Sequence, residues 1–89
     1  MRKYLSLAQY QTGKEAWLNN DLPTAREHFE KAIALFDRHA HTWFYLAETR
    51  RLLGDAAGAE VAYRRCLQAN PDHGRALRAL ERLKRIGVK

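Results

Sequence analysis

The chain has 89 residues, 46% hydrophobic and 29% charged, with a formal net charge of +6. That length gives one domain with a modest core, and no apolar run approaches the roughly 20 residues a membrane-spanning helix needs. A single cysteine rules out an internal disulfide. The apolar stretch after Met1-Arg2-Lys3 is too short for a signal-peptide core, so a cytoplasmic chain is expected.

Five helices and no strand are predicted. The first runs from about Lys3 to Asn19 and carries Gly13 in its middle. A mid-helix glycine costs about 1 kcal/mol against alanine, so a close approach of another helix is its expected reason. Asn19-Asn20-Asp21 is turn chemistry, and Asp21 is a cap for the second helix, about Pro23 to Leu35. Pro23 falls in the first turn, where a missing N–H is harmless. The third helix spans about His41 to Leu53. Gly54 suits a left-handed helix end, and Asp55 caps the fourth helix, Ala56 to Ala69. Asn70-Pro71-Asp72 breaks the chain again, because the residue before a proline avoids helical angles. The fifth helix then runs from about Asp72 to Ile86. Connections this short set successive helices antiparallel.

Part of this pattern occurs twice. Asp21 recurs as Asp55, Ala25 as Ala59, Phe29 as Tyr63 and Ala32 as Cys66, each 34 residues on. A fixed period of this length marks a repeat architecture, in which each unit buries its apolar face against its neighbours. The small residues Ala8, Gly13, Ala25, Ala32, Ala47 and Ala59 are expected where backbones approach. Phe29, Ile33 and Leu35 should fill one layer, and Trp43, Leu46, Tyr63 and Leu67 the next. Cys66 reads as a small buried hydrophobe.

The second copy, residues 40–73, holds Trp43, then Leu46-Ala47, then Ala59, Tyr63 and Pro71. It resembles the tetratricopeptide repeat, a helix–turn–helix unit patterned W-x2-L-G, A-x3-F and a closing P. Ala47 stands for the glycine, and Arg50 stands where the pattern has tyrosine, so some packing must be supplied elsewhere. The first copy, residues 6–39, matches at Gly13, Ala25, Phe29 and Ala32, but has Gln9, Thr12 and Asp37 for the Trp, Leu and Pro. Residues 74–89 resemble the family's C-terminal capping helix. The resemblance implies an all-α, right-handed α-solenoid of antiparallel helix pairs. Residues 1–89 would form one domain of two repeats, 6–39 and 40–73, and a cap, 74–89.

The resemblance also implies a concave groove lined by the first helix of each repeat, used to hold a partner protein or peptide as an adaptor or scaffold. The 34-residue register places Leu7, Tyr10, Lys14 and Trp17 there on the first helix, and His41, Phe44, Glu48 and Arg51 on the third. Arg75, Arg78, Arg82 and Arg85 follow on the fifth. Spacings of three and four keep each set on one helical face. Residues 1–73 hold 10 Lys/Arg and 9 Asp/Glu, whereas residues 74–89 hold 6 Lys/Arg and one Glu, so the excess charge lies in the last helix. Arginine pairs bidentately with carboxylate and phosphate, so an acidic segment is the expected partner, with Tyr10, Trp17 and Phe44 taking its apolar side chains. The same arginines also suit a plain solvated cap face, and Lys14, Glu48 and Arg82 an interhelical charge ladder. Ala76, Ala79, Leu80, Leu83 and Ile86 form the fifth helix's apolar stripe. No asparagine occurs on the three groove faces, so the Lys/Arg/Asn clamp for an acidic C-terminus is not supported.

Other chemistries find little. His39 and His41 flank one residue, and His73 follows His39 by 34, but one core-facing cysteine and spaced turns do not make a tetrahedral metal site. There is no phosphate loop, nucleophile elbow or paired-carboxylate motif. No enzyme activity, metal or cofactor is expected. The alternatives to protein binding are nucleic-acid binding, with arginine on phosphate and aromatics under bases, and self-association that extends the solenoid as a homodimer.

Overall fold

The turns explain the architecture. In the computed structural model, which describes residues 1–87, five helices run α1 Arg2–Leu18, α2 Leu22–Leu35, α3 Ala40–Leu52, α4 Ala56–Ala69 and α5 Gly74–Gly87, with no strand among the described residues. Helix α1 ends with Asn20 in the left-handed region at φ 63°, and α3 ends with Gly54 at φ 92°. At the first end the Asp21 N–H donates to the Ala16 carbonyl (2.8 Å) and the Asn20 N–H to that of Trp17 (3.0 Å). At the second, Asp55 donates to Arg50 (2.8 Å) and Gly54 to Arg51 (3.0 Å). These are two copies of one Schellman motif, which satisfies helix-terminal carbonyls.

The aspartate that closes one helix opens the next. Asp21 Oδ1 accepts from the Thr24 N–H at 3.4 Å, and Asp55 Oδ1 from the Gly58 N–H at 2.9 Å. One residue therefore serves a helix end and a helix start, leaving no slack between them, and the paired helices must fold back on each other.

The two hairpins then stack. Helix α2 packs against α1 and α3, and α4 against α3 and α5, while α1 also touches α3. The odd-numbered helices form one layer and the even-numbered ones the other, in a body 42 × 27 × 17 Å. Phe29, Leu46 and Tyr63 are wholly buried between the layers, with Ala25, Ala32, Ala47, Ala59, Ala62 and Cys66 at the tight approaches. Burial pushes the Cys66 thiol up to about 11, so it stays protonated at neutral pH. The expected small residues are in place except Ala8, which is exposed because that face of α1 has no helix beside it; Ser6 is buried instead, its hydroxyl donating to the Ala32 carbonyl at 2.8 Å. Leu35 is only half-buried, at the rim of a surface cleft.

Two positions show how departures from the repeat pattern are accommodated. Arg50, standing where the pattern has tyrosine, donates from Nη1 to the Gly58 carbonyl (3.1 Å) and reaches Glu30 from Nη2 (3.5 Å), tying α3 to both even helices. Asp37, standing for proline, accepts through its carbonyl from the Trp43 indole N–H at 2.8 Å, while the Arg65 guanidinium covers the Trp43 ring at 4.6 Å. The fifth helix begins at Gly74, two residues later than expected, because Asn70 Oδ1 takes the Asp72 N–H and holds residues 70–72 in a turn. Ala76 and Leu80 are buried and Ala79 and Leu83 packed at its inner face; the Ile86 side chain lies outside the described residues.

Truncating Trp43 to alanine should cost about 3–5 kcal/mol, as large aromatic truncations in cores do, and thermal melts will register it. Gly13→Ala should also destabilise. The added Cβ would stand 2.9 Å from the Phe29 ring and 3.3 Å from the Ala25 carbonyl. The expected loss is about 1–3 kcal/mol despite alanine's better helix propensity, and an unchanged melting temperature would mean that Phe29 moves aside freely.

Candidate functional site

Helix α3 is the middle of the inner layer, and Thr42 through Ala47 are all buried. Tyr45 is its hub. The Tyr10 ring lies 6.1 Å from it, Trp17 5.2 Å edge-on, Phe29 6.2 Å stacked and Phe44 5.3 Å edge-on. Lys14 Nζ sits 5.3 Å above the same ring. Tyr45 lies off the faces that the 34-residue register assigns to the groove, although the apolar run Trp43-Phe44-Tyr45-Leu46-Ala47 is the mark of a helix covered on every side.

This packing corrects the assignment of exposed aromatic anchors. Tyr10 is 7% exposed and Phe44 3% exposed; both are core. They lie where neighbouring odd-numbered helices meet: Tyr10 is packed against Tyr45, and Phe44 is left only as the covered floor of a cleft, beneath Arg75. Burial, with the Tyr45 phenol close by, raises the Tyr10 pKa. Trp17 and Leu7 are half-buried and present partial apolar surface; the Trp17 indole N–H is covered and meets no acceptor among the described residues.

The charged half of the predicted face does assemble. Phe44, Glu48, Arg75, Arg78, Ala79 and Arg82 line one cleft of about 210 Å³ between α3 and α5. A neighbouring hollow adds Arg51 and Leu83 around the same Glu48 and Arg82. The Arg75 guanidinium lies over the Phe44 ring, 4.6 Å from its centroid. Arg85 is exposed on the same helix but lines neither hollow.

Glu48 is not part of a ladder with Lys14 and Arg82, as the sequence had suggested. Its carboxylate accepts from Arg51 Nη2 at 2.7 Å and takes a short hydrogen bond from the Tyr63 hydroxyl, while Lys14 rests on Tyr45. Burial and this carboxylate drive the Tyr63 phenol far above its ordinary value, and the hydrogen bond to Glu48 raises the Arg51 pKa. Among the described residues, Arg75, Arg78, Arg82 and Arg85 enter no ion pair.

Three of the four histidines, His39, His41 and His73, form a row along this edge. The rings of His39 and His41 are 5.7 Å apart, those of His41 and His73 5.2 Å, and Tyr10 stands edge-on to His39 at 4.9 Å. His39 and His73 each precede a helix. His39 Nδ1 bonds the Thr42 hydroxyl at 2.7 Å, and His73 Nδ1 accepts the Ala76 backbone N–H at 3.2 Å. The second bond fixes the tautomer: His73 carries its proton on Nε2, which donates to His41 Nδ1 at 3.3 Å. A metal on His73 Nε2 would require the proton on Nδ1 and would break the cap. No group of three or more His, Cys, Asp or Glu side chains suited to a metal occurs among the described residues.

Comparison with known proteins agrees with the fold. Residues 40–83 match the family model described as Tetratricopeptide repeat. Two similar proteins bear the name Tetratricopeptide repeat protein 36. The one from Danio rerio is 34% identical and the one from Homo sapiens 41% identical, each over 58 residues. The matched stretch is 65% of this chain and 31% of each relative, so the match spans about a third of those proteins. Residues 40–83 belong to the tetratricopeptide repeat family, whose helical repeats generally mediate protein–protein interaction.

The capping histidines predict how stability depends on pH. Burial first, then the neighbouring His41 ring, lowers the His39 and His73 pKa values; Lys3 adds to this at His39 and Arg75 at His73. Well above the ordinary histidine value of about 6.5 both rings are neutral in folded and unfolded chains, and the His73 cap and the His39–Thr42 hydrogen bond are intact. As pH falls below that value the unfolded chain takes up protons first, so stability must decline. Melting temperatures from pH 8 to pH 5 should fall accordingly. His73→Asn, which keeps a capping acceptor without titrating, should flatten the decline; an unchanged profile would remove His73 as a contributor.

Proposed function

We propose that this chain binds a partner protein segment along its inner layer, with the segment's acidic residues on α5 and its apolar residues toward α1. In this reading residues 6–39 and 40–73 are the two repeats, and residues 74–89 are a capping helix that also contributes binding residues. The carrying observation is the cleft between α3 and α5. Three arginines line it, and its one carboxylate is already engaged by Arg51 and Tyr63. Guanidinium groups with no ion-pair partner among the described residues, gathered at a cleft between two helices, favour an acidic visitor. The apolar contribution falls to half-buried Leu7 and Trp17, because Tyr10 and Phe44 are committed to the core. A nucleic acid is the weaker candidate: Lys14 and Arg51, the cations predicted on the groove faces of the other two inner helices, are already engaged by Tyr45 and Glu48.

The test is capture of a partner from native lysate followed by titration of the purified pair. The double reversal Arg78→Glu with Arg82→Glu should weaken binding by about tenfold or more and lessen its salt dependence, since interface charges act through orientation and association rate. Helical content should stay at the parent level, because both side chains are exposed. Undiminished binding by the reversed protein would move the site away from α5. Tight binding of single-stranded RNA with a steep salt slope, and no protein partner, would replace the proposal with nucleic-acid recognition.

A further inference from the structure

We infer that the cleft between α3 and α5 is a site for a phosphomonoester carried on the partner segment, such as a phosphorylated serine or threonine. This rests on the peptide-binding reading and specifies the ligand of its charged end. The first ground is charge. Arg75, Arg78 and Arg82 converge on one cleft and are without ion-pair partners among the described residues, while Glu48 is already held by Arg51 and Tyr63. A single carboxylate brings one negative charge and two acceptor oxygens. A phosphomonoester brings about −1.5 to −2 charges at neutral pH and three acceptor oxygens, and so answers three guanidinium groups more fully.

The second ground is preorganisation. Arg75 packs on the buried Phe44 ring, its guanidinium carbon 4.6 Å from the ring centroid, a cation–π contact that holds the group at the cleft. Arg78 folds back along the first turn of α5: its Nη1 lies 3.4 Å from where a side chain on Gly74 would begin. Arg75 and Arg78 thus stand together at the start of α5 and line the same cleft, which Arg82 lines one turn further on. The third ground is size. A cleft of about 210 Å³ is smaller than the roughly 300 Å³ at which small-molecule sites begin, but it has room for one tetrahedral head group. A longer nucleic-acid chain would need cations beyond this cleft, and the two predicted on the groove faces of α1 and α3, Lys14 and Arg51, are occupied by Tyr45 and Glu48.

An array of random seven-residue peptides, each made with serine, phosphoserine or glutamate at its centre, tests this with the whole chain. Phosphoserine members should bind about tenfold more tightly than their glutamate counterparts, the margin expected when a second charge-assisted, bidentate contact is added. Arg75→Gln and Arg78→Gln should each abolish the difference, and Arg78→Lys should restore only part of it, with circular dichroism confirming that each variant is folded. Glutamate members binding as well as phosphoserine members would overturn the phosphate assignment and leave the acidic-segment reading standing. Silence on all three sets would overturn both. Equal binding of phosphoserine peptides by the parent and Arg78→Gln would show the recognition to lie elsewhere. A single-stranded RNA that outcompetes every phosphopeptide would reassign the cleft to nucleic acid.

Discussion

The structure depends on one constraint: a helix end and a helix start compressed into the same residues. Asn20-Asp21 and Gly54-Asp55 each complete a Schellman motif and then supply the cap of the following helix. Because the carbonyls of one helix and the amides of the next are satisfied within a few residues, the crossing of each pair is set locally. The packing of alanines against rings then follows, since the two helices leave their turn already facing each other. Local satisfaction of polar groups at the turns and the burial of Phe29, Tyr63 and Leu46 thus call for the same helix pairing. The connections between hairpins work differently. Phe36 and Asn70 are extended, and the chain is held there by side chains reaching across: Ser6 to the end of α2, Trp43 to Asp37, and Arg65 over Trp43.

Those two kinds of joint explain what the sequence made legible. Asp21, Pro23, Gly54, Asp55 and Pro71 carry their meaning locally, and the helices fall within about two residues of where these residues place them. The 34-residue spacing likewise exposed the core positions Ala25, Phe29, Ala32, Ala59, Tyr63 and Cys66, because the same face is buried twice. Asn20 in the left-handed region was less legible, since asparagine takes that conformation less routinely than glycine. The start of α5 was misplaced because an asparagine side chain captured the Asp72 amide, a choice that Asn-Pro-Asp does not settle on its own.

The site was half legible for a related reason. Helical spacing shows which residues share a face, but not how closely the next helix covers that face. Tyr10 and Phe44 share a face with the inner-layer residues, yet the approach of α1 to α3, and of α5 to α3, buries them. On α5 the inference held further, because that helix has a neighbour only on its apolar side and Arg75, Arg78 and Arg82 are left at the surface. Glu48 illustrates the opposite error. Its partners Arg51 and Tyr63 come from its own helix and from the layer beneath, and a register drawn along the groove does not reach that layer.

The position of Phe44 divides the labour of folding and recognition between helices. Its ring is packed against Tyr45 and Tyr63 below and carries Arg75 above, so the floor of the cleft is a wall of the core. Mutations that alter the floor will be removed by instability before they can be tried for a new ligand. The outward residues of α5 are under no such restraint. On the proposed reading of the cleft, its charged contacts can therefore change through the exposed arginines of α5 while the two hairpins beneath remain as they are.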